Sequence, residues 1–209
     1  MKLAVTEKQY TLVKRVLPIM AELYRNKTLP IFELIEAEYN SEKGTAAKAA
    51  ALVEQLGITA PNMQKANDAE KLLSVWVNDA DVIQDGPYKF VIQLEDRQQK
   101  LLAKSLDAFS RIVMGQFYIL FETLDISDSL QTNLHAFQTY QDVYWDGLHG
   151  IKEMRDMLLP AIKPFGWHGG YGISNPNVAE CSRLAYQLSR AMLREYALPV
   201  TAEPMAQVK

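Results

Sequence analysis

Residues 89–109 read KFVIQLEDRQQKLLAKSLDAF, and the hydrophobic period of this stretch changes in its middle. Residues 89–94 alternate and are rich in β-branched and aromatic side chains, which predicts a strand. From Glu95 onward the apolar residues recur at helical spacing, which predicts a long amphipathic helix. Its apolar stripe comprises Leu102, Leu106, Phe109, Val113, Phe117, Leu120 and Leu124. Gly115 interrupts this stripe and indicates either a close helix crossing or a kink.

The N-terminus has the same order of elements. Residues 2–5 predict a short strand, Thr6 is a suitable N-cap, and residues 8–23 carry helical periodicity. Pro18 predicts a kink or a split in this helix. A shift of 89 residues aligns five pairs: Gln9, Leu12, Leu17, Phe32 and Glu33 with Gln98, Leu101, Leu106, Phe121 and Glu122. Duplication and chance similarity of two amphipathic helices both explain these matches. If the two units are copies, their strands can pair into a small ribbon.

The remaining chain predicts further helices, over residues 31–39, 41–56, 67–77 and 127–162, with a last one from Asn175-Pro176 to about residue 198. The predicted fold is therefore mainly α, bundle-like, with a minor two-stranded β element. One domain is expected over residues 1–198, with two lobes, 1–88 and 89–198, as an alternative. Residues 199–209 are expected to form a flexible tail.

Composition narrows the class of protein. The chain has 209 residues, of which 48% are hydrophobic and 22% charged, and its net charge is −3. A net negative charge provides no overall electrostatic attraction for nucleic acid or for an anionic membrane. Cys181 is the only cysteine, so an intrachain disulfide is impossible and a thiolate metal site would lack ligands. No stretch predicts a secretory signal or a membrane span. We expect a cytoplasmic protein without a metal or cofactor.

Catalytic patterns are weak. His135, His149 and His168 do not fall at metal-binding helical spacing, although Asp142 and Asp146 lie near His149. Cys181 lies in a predicted helix, where a cysteine is more often a small buried residue than a nucleophile. Neither the Walker nor the Rossmann glycine pattern is present. The sequence therefore favours a protein that is not an enzyme.

Two segments suggest ligand binding instead. Residues 166–172 read GWHGGYG, where glycines let backbone amides approach a ligand and Trp167, His168 and Tyr171 could stack on a base. A tight connection with an aromatic plug explains the same composition. In the last helix a basic stripe, or a solvated face, is formed by Arg183, Arg190 and Arg194.

Arg111 and Gln116 form the last candidate pair. They stand beside the apolar stripe in residues 110–117, SRIVMGQF, and a buried Arg111 would need an acceptor such as a carboxylate, a carbonyl or an anionic ligand. The predicted ligand-binding residues are thus Arg111, Gln116, Trp167, His168, Tyr171 and Arg183.

Residues 110–117, together with the later YGIS of residues 171–174 and the following helix with Ala185-Tyr186, resemble a family of small uncharacterised phage and prophage proteins. The resemblance covers about residues 89–198 and implies a phage setting but no chemistry. The first functional hypothesis is a non-enzymatic accessory protein that binds a host protein or assembles with itself. The alternative is a protein that sequesters a small anion or nucleotide, and an enzyme using His149 or His168 comes third.

Overall fold

A computed structural model describes residues 1–56, 59–83, 86–123, 125–126, 155–160, 172–194 and 200–208. Over these residues the fold is mainly α-helical with a small antiparallel sheet, which confirms the predicted fold class. Residues 127–154, most of the helix predicted there, lie outside the described part of the chain. No described helix is both long and apolar enough to cross a membrane.

The elements follow one another as short strands and helices. The helices are α1 Glu7–Tyr24, α2 Leu29–Glu38, α3 Thr45–Leu56, α4 Met63–Asn78, α5 Asp96–Val113, α6 Ile119–Thr123 and α7 Glu180–Leu193. The strands are β1 Lys2–Val5, β2 Thr59–Ala60, β3 Asp81–Val82, β4 Phe90–Gln93, β5 Asp125–Ile126 and β6 Gln207–Val208. One sheet has the strand order β3-β4-β1-β6, and β2 pairs separately with β5.

The predicted ribbon between the two strand–helix units is confirmed. Strands β1 and β4 pair antiparallel, with Lys2 opposite Gln93. Each strand leads directly into a helix that begins with a capping box, closed by Gln9 in α1 and by Gln98 in α5. In this arrangement the glutamine side chain returns to the cap residue and satisfies an amide that the helix leaves unpaired. The aligned glutamines therefore have the same local role, while their origin by duplication stays a prediction.

The core lies between the sheet and the helices and includes side chains from both predicted lobes. Trp76 of α4 is fully buried, and its indole Nε1 donates to the carbonyl of Tyr10 at 3.2 Å. The ring of Tyr10 stacks in turn on Phe90 of β4, with a centroid distance of 3.9 Å. This aromatic column joins α4, α1 and the sheet.

Helices α5 and α7 pack through small side chains. Ser182 Oγ donates to the carbonyl of Ser110 at 2.8 Å, and Ser189 Oγ donates to the carbonyl of Ala103 at 2.9 Å. These serines are fully buried, so the bonds satisfy hydroxyls that have no access to water. Small residues let the two helix axes approach closely enough for a hydroxyl to reach the opposite backbone.

Several predicted boundaries are wrong. Helix α5 ends at Val113 instead of continuing to Leu124, because Gly115 has φ +91° and turns the chain. Helix α7 begins at Glu180 and not at Asn175-Pro176, because the Asn175 side chain accepts from the amide of Asn177 at 2.9 Å and forms a turn there. Helix α1 continues through Pro18 without a split.

Residues 200–208, which were expected to belong to a flexible tail, make specific contacts with the sheet and with the start of α1. Strand β6 pairs with β1, and Thr6 Oγ1 donates to a carboxylate oxygen of Glu203 at 2.8 Å. Gln9 Nε2 donates to the carbonyl of Pro204 at 2.7 Å, and the hydroxyl of Tyr88 donates to the carbonyl of Met205 at 2.8 Å. Backbone groups of the segment make most of these bonds, which explains why its side chains gave no signal.

Substituting Gln9 tests the contribution of the C-terminal segment. Gln9 is fully buried and its side chain bonds both Thr6 N and the carbonyl of Pro204, whereas among the described residues the side chain of the equivalent Gln98 bonds Glu95 N alone. We expect Gln9→Ala to lower the free energy of unfolding by about 2–3 kcal/mol, and the matched control Gln98→Ala by about 1 kcal/mol. Urea denaturation measures both. Equal losses would show that the bond to Pro204 adds nothing to stability.

Candidate functional site

A concave site of about 200 Å³ lies between α5, α6 and α7. Its charged residues are Lys104, Asp107 and Arg111 from α5 and Arg190 from α7. Asp107 is the only acid among the described residues that line it, so three cations face one carboxylate. In a chain with a net charge of −3 this is a local excess of positive charge.

Arg111 is held in place by two neutral side chains. Its Nε donates to Gln116 Oε1 at 2.9 Å, and its Nη2 donates to the Tyr118 hydroxyl at 2.7 Å. The Tyr118 hydroxyl is also 3.4 Å from Gln116 Oε1, which closes the triangle. Arg111 Nη1 lies 4.0 Å from the nearest carboxylate oxygen of Asp107, too far for a hydrogen bond. The guanidinium is therefore fixed while Nη1 makes no hydrogen bond within the described part of the chain.

Gly115 produces the turn that brings Gln116 back to Arg111. Its φ of +91° suits glycine, and the amide of Gln116 then donates to the carbonyl of Arg111 at 2.9 Å. A Cβ at this position would lie 3.3 Å from Leu159 Cδ1 and 3.4 Å from Arg155 Cδ. The glycine thus combines a turn with a close approach, so the expected kink is in fact the end of the helix.

Asp107 connects α5 to α7. Its Oδ1 accepts from Arg190 Nη2 at 2.8 Å, and the two side chains are 25% and 27% exposed. The Arg190 guanidinium also lies over the ring of Tyr186, 5.3 Å from its centroid. A planar guanidinium can stack on the ring and bond a carboxylate at the same time. Asp107 therefore compensates Arg190 more directly than it compensates Arg111.

The predicted basic stripe of α7 does not form one site. Arg190 lines the cavity, but Arg183 Nη1 donates to the carbonyl of Val200 at 3.0 Å and holds the C-terminal segment. Arg194 follows the helix with φ +56°, as its C-cap. Of the predicted site residues, Arg111 and Gln116 contact each other, whereas Arg183 lies at a different surface, where it bonds Val200.

The aromatic candidates lie outside the described residues: Trp167, His168 and Tyr171. His135 and His149 lie outside them too, with Asp142 and Asp146. The structure therefore bears on neither the glycine-rich stretch nor the carboxylate–histidine cluster.

Lys104, Asp107 and Tyr118 were not among the residues predicted for a site. The sequence did contain a signal for Lys104 and Asp107. They precede Arg111 by seven and four residues, and this spacing places all three on one face of α5. The contact with Arg190 had no local signal, since it joins residues 83 positions apart.

Cys181 lines a second, more open groove of about 470 Å³ between α1, α2 and α7. Ion pairs line this groove, including Arg15 with Glu38 at 2.8 Å and Lys8 with Glu180 at 3.4 Å. Burial, followed by the charge of Glu38, raises the pKa of the Cys181 thiol to about 12. The thiol is therefore not ionised at neutral pH. The charged residues that line the groove, Glu7, Lys8, Arg15, Glu38 and Glu180, leave a formal charge of about −1, so the groove does not favour an anionic ligand.

Comparison of the chain with protein-family models, with curated proteins and with solved structures gives no match. The resemblance to phage and prophage proteins therefore stays a prediction.

Substituting Gly115 and Gly44 distinguishes two costs to stability: a side chain on a backbone with positive φ, and steric crowding by neighbouring residues. Gly44 has the same φ of +91°, but a Cβ added there would meet no heavy atom within 4 Å, so Gly44→Ala is the matched control. We expect Gly44→Ala to cost about 1–2 kcal/mol of unfolding free energy, and Gly115→Ala at least about 1 kcal/mol more. Urea denaturation measures the difference. Equal costs would mean that the contact with Leu159 is unimportant.

Thiol labelling tests the environment of Cys181. With a pKa of about 12, roughly one thiol in ten thousand is ionised at pH 8, so iodoacetamide should label the folded protein extremely slowly. Unfolding in urea removes the cause and should restore ordinary reactivity. Rapid labelling of the folded protein would contradict this environment.

Proposed function

We propose that this protein is not an enzyme but binds a small anionic ligand in the cavity between α5, α6 and α7, in the cytoplasm. The observation that carries the proposal is the state of Arg111. Gln116 and Tyr118 fix its guanidinium but carry no charge, so they orient the cation without neutralising it. A guanidinium has five N–H donors, and these two bonds use two of them.

The neighbouring cations support the same proposal. Lys104 makes no ion pair among the described residues and lines the same cavity as Arg111 and Arg190. Prepositioned arginines bind carboxylates and phosphates strongly because the charged hydrogen bonds need little further ordering. An anion would complete the charge balance that Asp107 alone leaves open.

Interaction with a host protein or with a second copy was the first hypothesis from the sequence, and it stays a prediction. The described residues include six exposed large apolar side chains: Leu29, Met63, Val77, Val82, Met157 and Leu193. No element carries more than two of them, and the two on α4 stand at its opposite ends. Among the described residues they are thus distributed over several elements. The cavity therefore supports anion binding better than protein interaction.

The enzyme hypothesis depends on His149 and His168. Both lie outside the described residues, so it also stays a prediction and receives no support from the cavity.

Isothermal titration calorimetry at constant ionic strength tests anion binding with sulfate, inorganic phosphate and acetate as probes. We expect saturable binding of at least one of them, weakened about tenfold or more in Arg111→Gln, because a charged hydrogen bond contributes about 1.5–3 kcal/mol. Arg97→Gln is the matched control, since Arg97 pairs with Asp68 at 2.6 Å on an exposed surface. Its affinity should equal that of the unsubstituted protein.

Arg111→Lys provides a second variant. It keeps the positive charge but loses the planar fork, so we expect an affinity between those of the unsubstituted protein and Arg111→Gln. Absence of saturable binding to the unsubstituted protein, or equal affinity in Arg111→Gln and Arg97→Gln, would refute the proposed function.

A further inference from the structure

The charge of the cavity distinguishes between classes of anion. Among the described lining residues, Lys104, Arg111 and Arg190 oppose one carboxylate, that of Asp107, which leaves a formal charge of about +2 from these four side chains. A carboxylate ligand would neutralise one of the two charges. A phosphate monoester carries about −1.5 to −2 at pH 7 and would neutralise both.

The donors also approach from two sides. Arg111 belongs to α5 and is fixed with Nη1 making no hydrogen bond among the described residues, while Arg190 approaches from α7. A tetrahedral phosphate presents three oxygens in different directions and can accept from both helices at once. A planar carboxylate has two oxygens in one plane and suits a single guanidinium fork better.

Part of the cavity wall is apolar. Ala108, Ile119 and Leu193 line it beside the cations, and Leu193 remains 38% exposed. An inorganic anion would leave this wall in contact with water, whereas an organic group attached to the phosphate would cover it and gain about 25 cal/mol per Å² of apolar surface. The volume of about 200 Å³ is below the range of about 300–1,000 Å³ that is usual for drug-sized ligands.

We infer that the ligand is a small phosphate monoester, whose phosphate lies between Arg111 and Arg190 and whose apolar group lies against Leu193. This inference rests on the proposed function and names the chemical class of its ligand. Charge and donor geometry favour the monoester over a carboxylate, and the apolar wall favours it over an inorganic anion.

The first experiment compares phenyl phosphate with benzoate by calorimetry at pH 8 and constant ionic strength. The two probes share an aromatic ring and differ in the charge and shape of the anionic group. We expect phenyl phosphate to bind at least about tenfold more tightly, and to lose affinity at pH 5.5, where its phosphate is largely singly charged because the second pKa is about 6. Benzoate keeps one charge at both pH values and controls for changes in the protein and its charged lining residues, Lys104, Asp107, Arg111 and Arg190.

Leu193→Ala tests the place of the apolar group. We expect about threefold or greater weakening of phenyl phosphate binding and no change for inorganic phosphate, because only the ester contacts the wall. Met63→Ala is the control, since Met63 is 51% exposed at the start of α4 and does not line the cavity. Both substitutions remove exposed side chains, so folding should be preserved.

The outcomes separate the inference from the proposed function. If benzoate binds as tightly as phenyl phosphate and both depend on Arg111, the monoester class is wrong although anion binding stands. If Leu193→Ala weakens inorganic phosphate as much as phenyl phosphate, the placement of the apolar group is wrong. If sulfate, inorganic phosphate and acetate all fail to bind, the proposed function is wrong, and this inference is wrong with it.

Discussion

The close packing of α5 on α7 is the contact on which the rest of the described structure depends. Buried hydroxyls of Ser182 and Ser189 reach backbone carbonyls of the opposite helix, so neither position has room for a larger side chain without separating the helices. Only at this spacing can Arg190 contact Asp107 at 2.8 Å. The hydroxyl of Tyr39 adds a further connection, because it donates to the carbonyl of Val113 and accepts from the amide of Ala179.

The sheet determines where α1 and α5 begin. Because β1 and β4 pair antiparallel, the two capping boxes lie at opposite ends of the strand pair, and each helix leaves the sheet with amides of its first turn satisfied. The C-terminal segment completes the sheet on the other side of β1 and bonds Gln9 inside the first capping box. The start of α1 therefore depends on residues from both ends of the described chain.

Local signals predicted much of the fold, whereas contacts over long sequence separations could not be read from a single sequence. Alternation over residues 89–94 and the capping residue Thr6 predicted elements that the structure confirms. Gly115 indicates an interruption of the helix, but the close approach of Leu159 to it joins distant parts of the chain, and the helical pattern around Gly115 does not encode that contact. For the site, proximity in sequence made Arg111 and Gln116 a candidate pair. Arg190, the cation that α7 contributes to the same cavity, is brought to Asp107 by the packing of α7 on α5.

The bonding partners of Arg111 indicate whether Arg111 and Gln116 stabilise the fold or bind a ligand. An arginine that only stabilised the end of α5 would gain most from a carboxylate at bonding distance, because a partly buried charge is costly without one. Among the described residues, the carboxylate that pairs with Arg111 belongs to Asp107, which lies 4.0 Å away, too far for a hydrogen bond, and bonds Arg190 instead. Neutral groups hold Arg111, and they provide orientation while its charge stays available. Such an arrangement favours a role in binding an anion, since firm orientation with only partial compensation of the charge by Asp107 benefits a ligand more than it benefits the fold.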